Sequence, residues 1–117
     1  MAKTTTSPPA QLCCSPLTGA VLGEEEAGVL AARLKALADP IRLRLVSLVA
    51  CAADGEVCAC DLPELLSRSQ PTISHHLKQL VEAGILTREQ RGKWAWFALR
   101  DEALDDIRSA LGGGATG

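Results

Sequence analysis

The sequence predicts a mostly α fold with one small β-hairpin, built as one compact domain. Apolar residues recur at spacings of three and four through most of the segment 24–82, the signature of amphipathic helices. Two strand-like runs, "ILTREQ" and "KWAWFALR", flank Arg91-Gly92 and read as a hairpin. The chain has 117 residues, 47% hydrophobic but only 3% aromatic, which suits one core of Leu, Ala, Val and Ile.

Residues 1–23 carry Thr, Ser, Pro and Gly without periodicity and are expected to form a flexible N-terminal arm that holds a Cys pair. From Glu24 the spacing of Val29, Leu30, Leu34 and Leu37 predicts a first helix. A second begins at Pro40 with Asp39 as its cap, carries Ile41, Leu43, Leu45, Val46, Leu48 and Val49, and stops at the turn signal Asp54-Gly55. A short third helix is expected from about Cys58 to Leu66. In the fourth, Ser69 caps, Pro71 sits in the first turn, and Ile73, Leu77, Leu80 and Val81 form the buried stripe. Gly84 ends it. After the hairpin, "DEALDDIRSAL" predicts a last amphipathic helix, and 112–117 is expected to be a flexible tail. Helix, short helix, tight turn, polar helix and basic hairpin together make a winged helix-turn-helix, with 24–111 as the structured domain.

The net charge of −2 is unevenly spread: between Ser67 and Arg100 lie six basic residues against Glu82 and Glu89, while both ends of the structured segment are acidic. The middle can therefore face phosphates. No apolar run approaches the roughly 18 residues of a membrane span, and "MAKTTTSPPAQLCC" lacks the apolar stretch of a secretory signal. A cytoplasmic location is expected, where thiols stay reduced. The five cysteines, Cys13, Cys14, Cys51, Cys58 and Cys60, then point to metal or metalloid binding, redox sensing or burial rather than to structural disulfides. Small buried fillers are the plain alternative for Cys58 and Cys60, and Cys51 is assigned to packing.

On the fourth helix, Ser69, Gln70, Thr72, Ser74, His75 and Lys78 lie off the buried stripe. Gln pairs with adenine, Ser and Thr reach bases or phosphate, and Lys neutralises phosphate. An ordinary solvated helix face would look similar. The hairpin shifts the balance, because Arg91 and Lys93 at its tip have no obvious partner within the chain. Adjacent helical residues point about 100° apart, so a metal shared by His75 and His76 is not expected. No nucleophile–base pair suggests an enzyme.

Three strings, "LKALADPIRLRLVSLV", "SQPTISHHLKQLVEAGIL" and "RGKWAWFAL", resemble the ArsR/SmtB family of metal- and metalloid-responsive repressors over about Ala31 to Leu111. The resemblance implies a homodimer joined through its first and last helices, one recognition helix per major groove, and a palindromic double-stranded operator.

"EVCACDL" is similar to the Glu-Leu-Cys-Val-Cys-Asp-Leu motif of arsenic and cadmium/lead sensors in that family. Some arsenite sensors add a third Cys where this chain has Pro63. Family members that place N-terminal cysteines against this helix imply that Cys13, Cys14 or both complete a site with Cys58 and Cys60. Thiolates suit soft ions; three match pyramidal arsenic(III), and four suit cadmium. The zinc sensors' Asp and His pairs have no counterpart in "RDEALDDIRSALGG", which has no His. The expected function is a repressor that releases DNA on binding arsenite or antimonite, without an organic cofactor. Cadmium or lead as inducer, and a thiol redox switch, are the alternatives. Residues i and i+2 of a regular helix lie about 200° apart, so a shared ion would require the first turn to fray.

Overall fold

The computed structural model describes residues 20–112. The described residues divide into two compact units: 35–100, and 20–34 together with 101–112. The calls on Cys13 and Cys14, on most of the arm and on most of the tail fall outside the described residues.

The unit 35–100 holds the helix-turn-helix and the wing. Helix α1 (Glu24–Leu37) runs into it. Helix α2 (Pro40–Ala50) starts where the sequence places it, because the Asp39 carboxylate accepts from the Ile41 and Arg42 amides at 2.9 and 3.1 Å and Pro40 lacks an amide to satisfy. Those bonds, that from Arg42 foremost, hold the Asp39 carboxyl below its usual range. Helix α3 (Leu62–Leu66) and helix α4 (Gln70–Glu82) are joined by a tight turn in which Ser67 adopts φ 53°. The Ser69 hydroxyl caps α4 through the Thr72 amide at 3.4 Å. At its other end Gly84, at φ 79°, lets the Gly84 and Ile85 amides reach back to the Val81 and Leu80 carbonyls, both at 3.0 Å.

The hairpin is β2 (Leu86–Arg91) and β3 (Trp94–Leu99), turning at Gly92 with φ 62°. A third strand, β1 (Glu56–Cys58), pairs antiparallel with β3, giving the order β1-β3-β2. This corrects the expectation of a helix starting at Cys58. The chain is extended through Cys58, makes a single 3₁₀ turn over Ala59–Asp61, and becomes α-helical only at Leu62. Val57 opposite Phe97 is the apolar pair that draws β1 onto the wing. Three residues of alternating strand are too short to stand out in the sequence.

The core of this unit gathers Leu45, Val49, Leu62, Leu66, Ile73, Leu77, Leu80, Ile85 and Leu86, all essentially inaccessible, with Phe97 from β3. Ile73, Leu77 and Leu80 are thus buried as the helical spacing requires, and Val81 packs at the margin. Cys51 ends α2 exposed rather than packed. Its position just after the last buried residue of α2 turns it to solvent, which corrects the packing assignment.

In the other unit, helix α5 (Ala103–Ala110) buries Ala103, Ile107 and Ala110, and Ala110 packs with Leu30, Val29 and Leu22. Arg33 Nη1 lies 3.5 Å from Asp106 Oδ2, close enough for charge attraction but not aligned as a hydrogen bond. Arg108 pairs with Asp105 one turn earlier at 3.0 Å. No helix among the described residues is long and apolar enough to cross a membrane.

Candidate nucleic-acid interface and thiol pair

Ser69, Gln70, Thr72, Ser74, His75 and Lys78 are all exposed, and all belong to α4 or its cap. The geometry follows from the stripe: Ile73, Leu77 and Leu80 face the core, so the polar positions between them face outward. The row is organised before any partner arrives. Ser69 donates to the Thr72 hydroxyl at 3.0 Å, and the Gln70 amide donates to the Ser74 hydroxyl at 3.3 Å. Between α4 and the hairpin lies an open cleft of about 610 Å³. Gln70, Ser74 and Lys78 form one wall, and Arg88, Gln90 and Lys93 the other. Leu77, Val81 and Phe97 floor it.

At the wing tip the two cations differ. Lys93 has no ion-pair partner among the described residues. Arg91, expected to be unpartnered too, is tightly held. Its Nη1 and Nη2 donate to the two Glu56 oxygens at 2.9 and 2.7 Å, and Nη2 also donates to Glu89 at 2.7 Å. The guanidinium lies over Trp96, its Cζ 4.9 Å from the ring centre. These contacts, the Glu56 fork first, raise the Arg91 pKa further and hold the Glu56 carboxyl below its usual range. The partner was hidden in the sequence because Glu56 lies 35 residues away on a strand too short to read.

Cys58 is buried at 3% exposure, and Cys60 is exposed. The structure joins their sulfurs as a disulfide across a Cα–Cα separation of 5.2 Å. Two expectations are corrected: that these thiols are free, and that i,i+2 geometry keeps them apart. The cause is the backbone. Cys58 is extended (φ −79°, ψ 137°) and Cys60 lies in the 3₁₀ turn, so both side chains fall on one side without fraying of any helix. The Cys58 sulfur also accepts from the Cys60 amide at 3.2 Å, which caps the turn. Among the described residues, no group of three or more Cys, His, Asp or Glu is placed to hold a metal ion. Cys58 and Cys60 therefore provide a converging pair of soft donors to which further ligands must be added. Cys13 and Cys14, the sequence's candidates for that role, lie outside the described residues.

His75 is exposed, while His76 turns half-buried towards α2, where its Nδ1 accepts from Arg42 Nε at 3.1 Å. That divides the two histidines as helical geometry requires. Burial, with Arg42 and His75 adding to it and Asp39 opposing, pulls the His76 pKa below the usual 6.5. A folded-state pKa depressed in this way means that the unfolded chain binds the proton first. The His76 contribution to stability is complete above 6.5 and is lost as the pH falls from there towards the lower folded-state value. Melting temperatures taken from neutral pH down to about 5 should fall, and His76→Gln, which keeps an acceptor but does not titrate, should flatten that decline. An equal slope in both proteins would exclude His76 as its source.

A sequence signature described as "Bacterial regulatory protein, arsR family" matches residues 39–88. An arsenical resistance operon repressor of Staphylococcus aureus is 46% identical over 74 residues, 63% of this chain and 68% of that protein. The chain belongs to the arsR family. A crystal structure of a possible transcriptional regulator for arsenical resistance superposes with a TM-score of 0.60 at 32% identity, over 66% of this chain and 77% of that one. The homodimeric winged helix-turn-helix DNA-binding domain of a possible ArsR-family regulator from Mycobacterium bovis shares the fold, with a TM-score of 0.62 at 20% identity over 76% and 83% of the two chains.

An arsR-family protein is a DNA-binding regulator and not an enzyme. The exposed row on α4 and the cleft beside it are the candidate surface for that DNA. The sequence reading of that surface missed Arg88 and Gln90, alternate residues of β2 that pair across the ladder with Phe97 and Ala95 and share their face; period-two spacing was the available signal. Lys93 stands at the wing tip without an ion-pair partner among the described residues, so Lys93→Ala is expected to weaken DNA binding alike for all sequences. It should reduce the slope of log affinity against log salt by about 1. Affinity and slope both unchanged in a fluorescence anisotropy titration would remove Lys93 from the interface.

Proposed function

We propose that this protein is a homodimeric, cytoplasmic repressor of metalloid-resistance genes. In this reading it binds a palindromic operator and releases it when arsenite or antimonite is captured by Cys58 and Cys60 together with Cys13, Cys14 or both. The observation that carries it is the convergence of Cys58 and Cys60 immediately before α3, the first helix of the DNA-reading pair. The sensing form is the reduced dithiol. Each thiol replaces one hydroxyl of arsenous acid with loss of water, so three thiols satisfy one arsenic. The described pair supplies two, and the arm supplies the third. Similarity to two staphylococcal proteins named as arsenical resistance operon repressors supports a metalloid inducer in preference to cadmium or lead.

Each copy presents the polar row of α4 to one major groove, with Ser69, Gln70, Thr72, Ser74, His75 and Lys78 at base edges and phosphates, and with Arg91 and Lys93 alongside. Dimerisation through α1 and α5 is supported by Leu34, Leu104 and Leu111, which leave 37%, 38% and 47% of their surface exposed on those helices and the residue after them. A second copy of the same face would cover them. The test is stoichiometric: arsenite added to reduced protein should protect three thiols per bound arsenic from alkylation, falling to two when Cys13 and Cys14 are both replaced by Ser. Protection of Cys58 and Cys60 in neither protein would exclude the site.

A further inference from the structure

We propose that Glu56 is the residue through which the thiol pair governs the wing, because its carboxylate competes with DNA phosphate for Arg91. The inference rests on the thiol-sensing function proposed above and adds the route by which that site reaches DNA. Glu56 and Cys58 are alternate residues of β1, so they lie on one face of the sheet about 6.6 Å apart along the strand. On that face Cys58 stands opposite Trp96, and Trp96 stands opposite Glu89. Arg91 lies on Trp96 and is gripped by Glu56 and Glu89. The thiol, the aromatic ring, the wing arginine and its two carboxylates therefore form one continuous cluster.

The competition follows from the guanidinium fork. Glu56 occupies both Nη1 and Nη2, at 2.9 and 2.7 Å, in the two-pronged arrangement that a phosphate would otherwise use. Glu56 and DNA cannot hold that fork at once. Strand β1 is three residues long, with the turn Asp54-Gly55 on one side and the cysteine turn on the other. Its position beside β3 is set by a short ladder and by what holds Cys58. In this structure the Cys58 and Cys60 sulfurs are joined, β1 is seated, and Arg91 is withdrawn onto Glu56. A thiophilic ion bridging the same sulfurs seats β1 in the same way. With free thiols the strand relaxes, Glu56 yields Arg91, and the wing presents its charge to phosphate.

The decisive experiment measures arsenite binding and operator affinity separately, on reduced wild type, Glu56→Gln and Glu89→Gln. Glu56→Gln should bind arsenite with wild-type stoichiometry and, because Glu56 has already yielded Arg91 when the thiols are free, bind the operator as the wild type does without arsenite. Its arsenite-driven loss of affinity should be smaller than that of wild type by about threefold or more. Glu89→Gln removes a similar charge from the same arginine but does not lie on β1, so it should keep full release. Glu56→Asp, which keeps the charge and shortens its reach, guards against a folding defect in the Gln variant and should also lose part of the response. Full release from Glu56→Gln with arsenite bound would overturn the proposal, as would equal loss in Glu89→Gln. If wild type binds arsenite at the pair without releasing DNA, or does not bind it at all, the sensing function falls and this route falls with it.

Discussion

Cys60→Ser, reduced and otherwise intact, is expected to bind operator DNA as the parent does and to be insensitive to arsenite. Cys60 is exposed, so Ser fits without burying an unpaired hydroxyl, and its effect is confined to the lost sulfur. Cys58→Ser should be equally insensitive but less stable, because Cys58 is buried and its sulfur forms the cap of the following turn. Coupling between two sites of this kind amounts to about 1–3 kcal/mol, or a 5- to 150-fold change in DNA affinity. The expected result for both variants is the disappearance of that whole factor, read by fluorescence anisotropy with and without arsenite. Retained release in both would place the inducer elsewhere.

Leu77→Ala is the second large effect. Leu77 is 2% exposed, and it is the middle of the stripe that fixes the recognition helix to the core beside Leu45, Val49 and Phe97. Emptying such a site costs about 2–5 kcal/mol, against a total of about 5–15 kcal/mol for an ordinary domain. Because the same side chain floors the cleft between α4 and the wing, the polar side chains of α4 that line the cleft lose their support. Urea denaturation should show a midpoint shifted far downward, and operator binding should be lost under conditions where wild type binds. An unchanged midpoint would mean that α4 is not anchored through this residue.

Much of this architecture was legible in the sequence because strong local signals agreed with one another. Asp39-Pro40, Ser69 with Pro71, and Gly84 each mark a helix boundary through a hydrogen bond or a backbone angle found in the structure. The stripe Ile73, Leu77, Leu80 fixed which side of α4 faces out, and with it the exposed polar row. Membership of the arsR family makes that row a candidate DNA contact surface. What stayed hidden was non-local. Strand β1 exists because Val57 meets Phe97, forty residues later in the chain, and three residues carry no periodicity of their own. Once β1 is a strand, Cys58 and Cys60 converge without distortion and Glu56 reaches Arg91. The errors about the third helix, the thiol geometry and the unpartnered arginine thus share one cause.

The same strand places Cys58 in the sheet that carries the wing, with Cys60 in the turn that leads directly into the helix-turn-helix. In the function proposed here, a ligand there acts on both the wing and the helix-turn-helix. The measurement that tests this most directly is release of a fluorescent copy of the promoter from reduced protein, titrated in parallel with arsenite, cadmium, lead and zinc. The account predicts release by arsenite near one equivalent per site, absent in Cys60→Ser. Retention of DNA in the presence of all of these ions would contradict it.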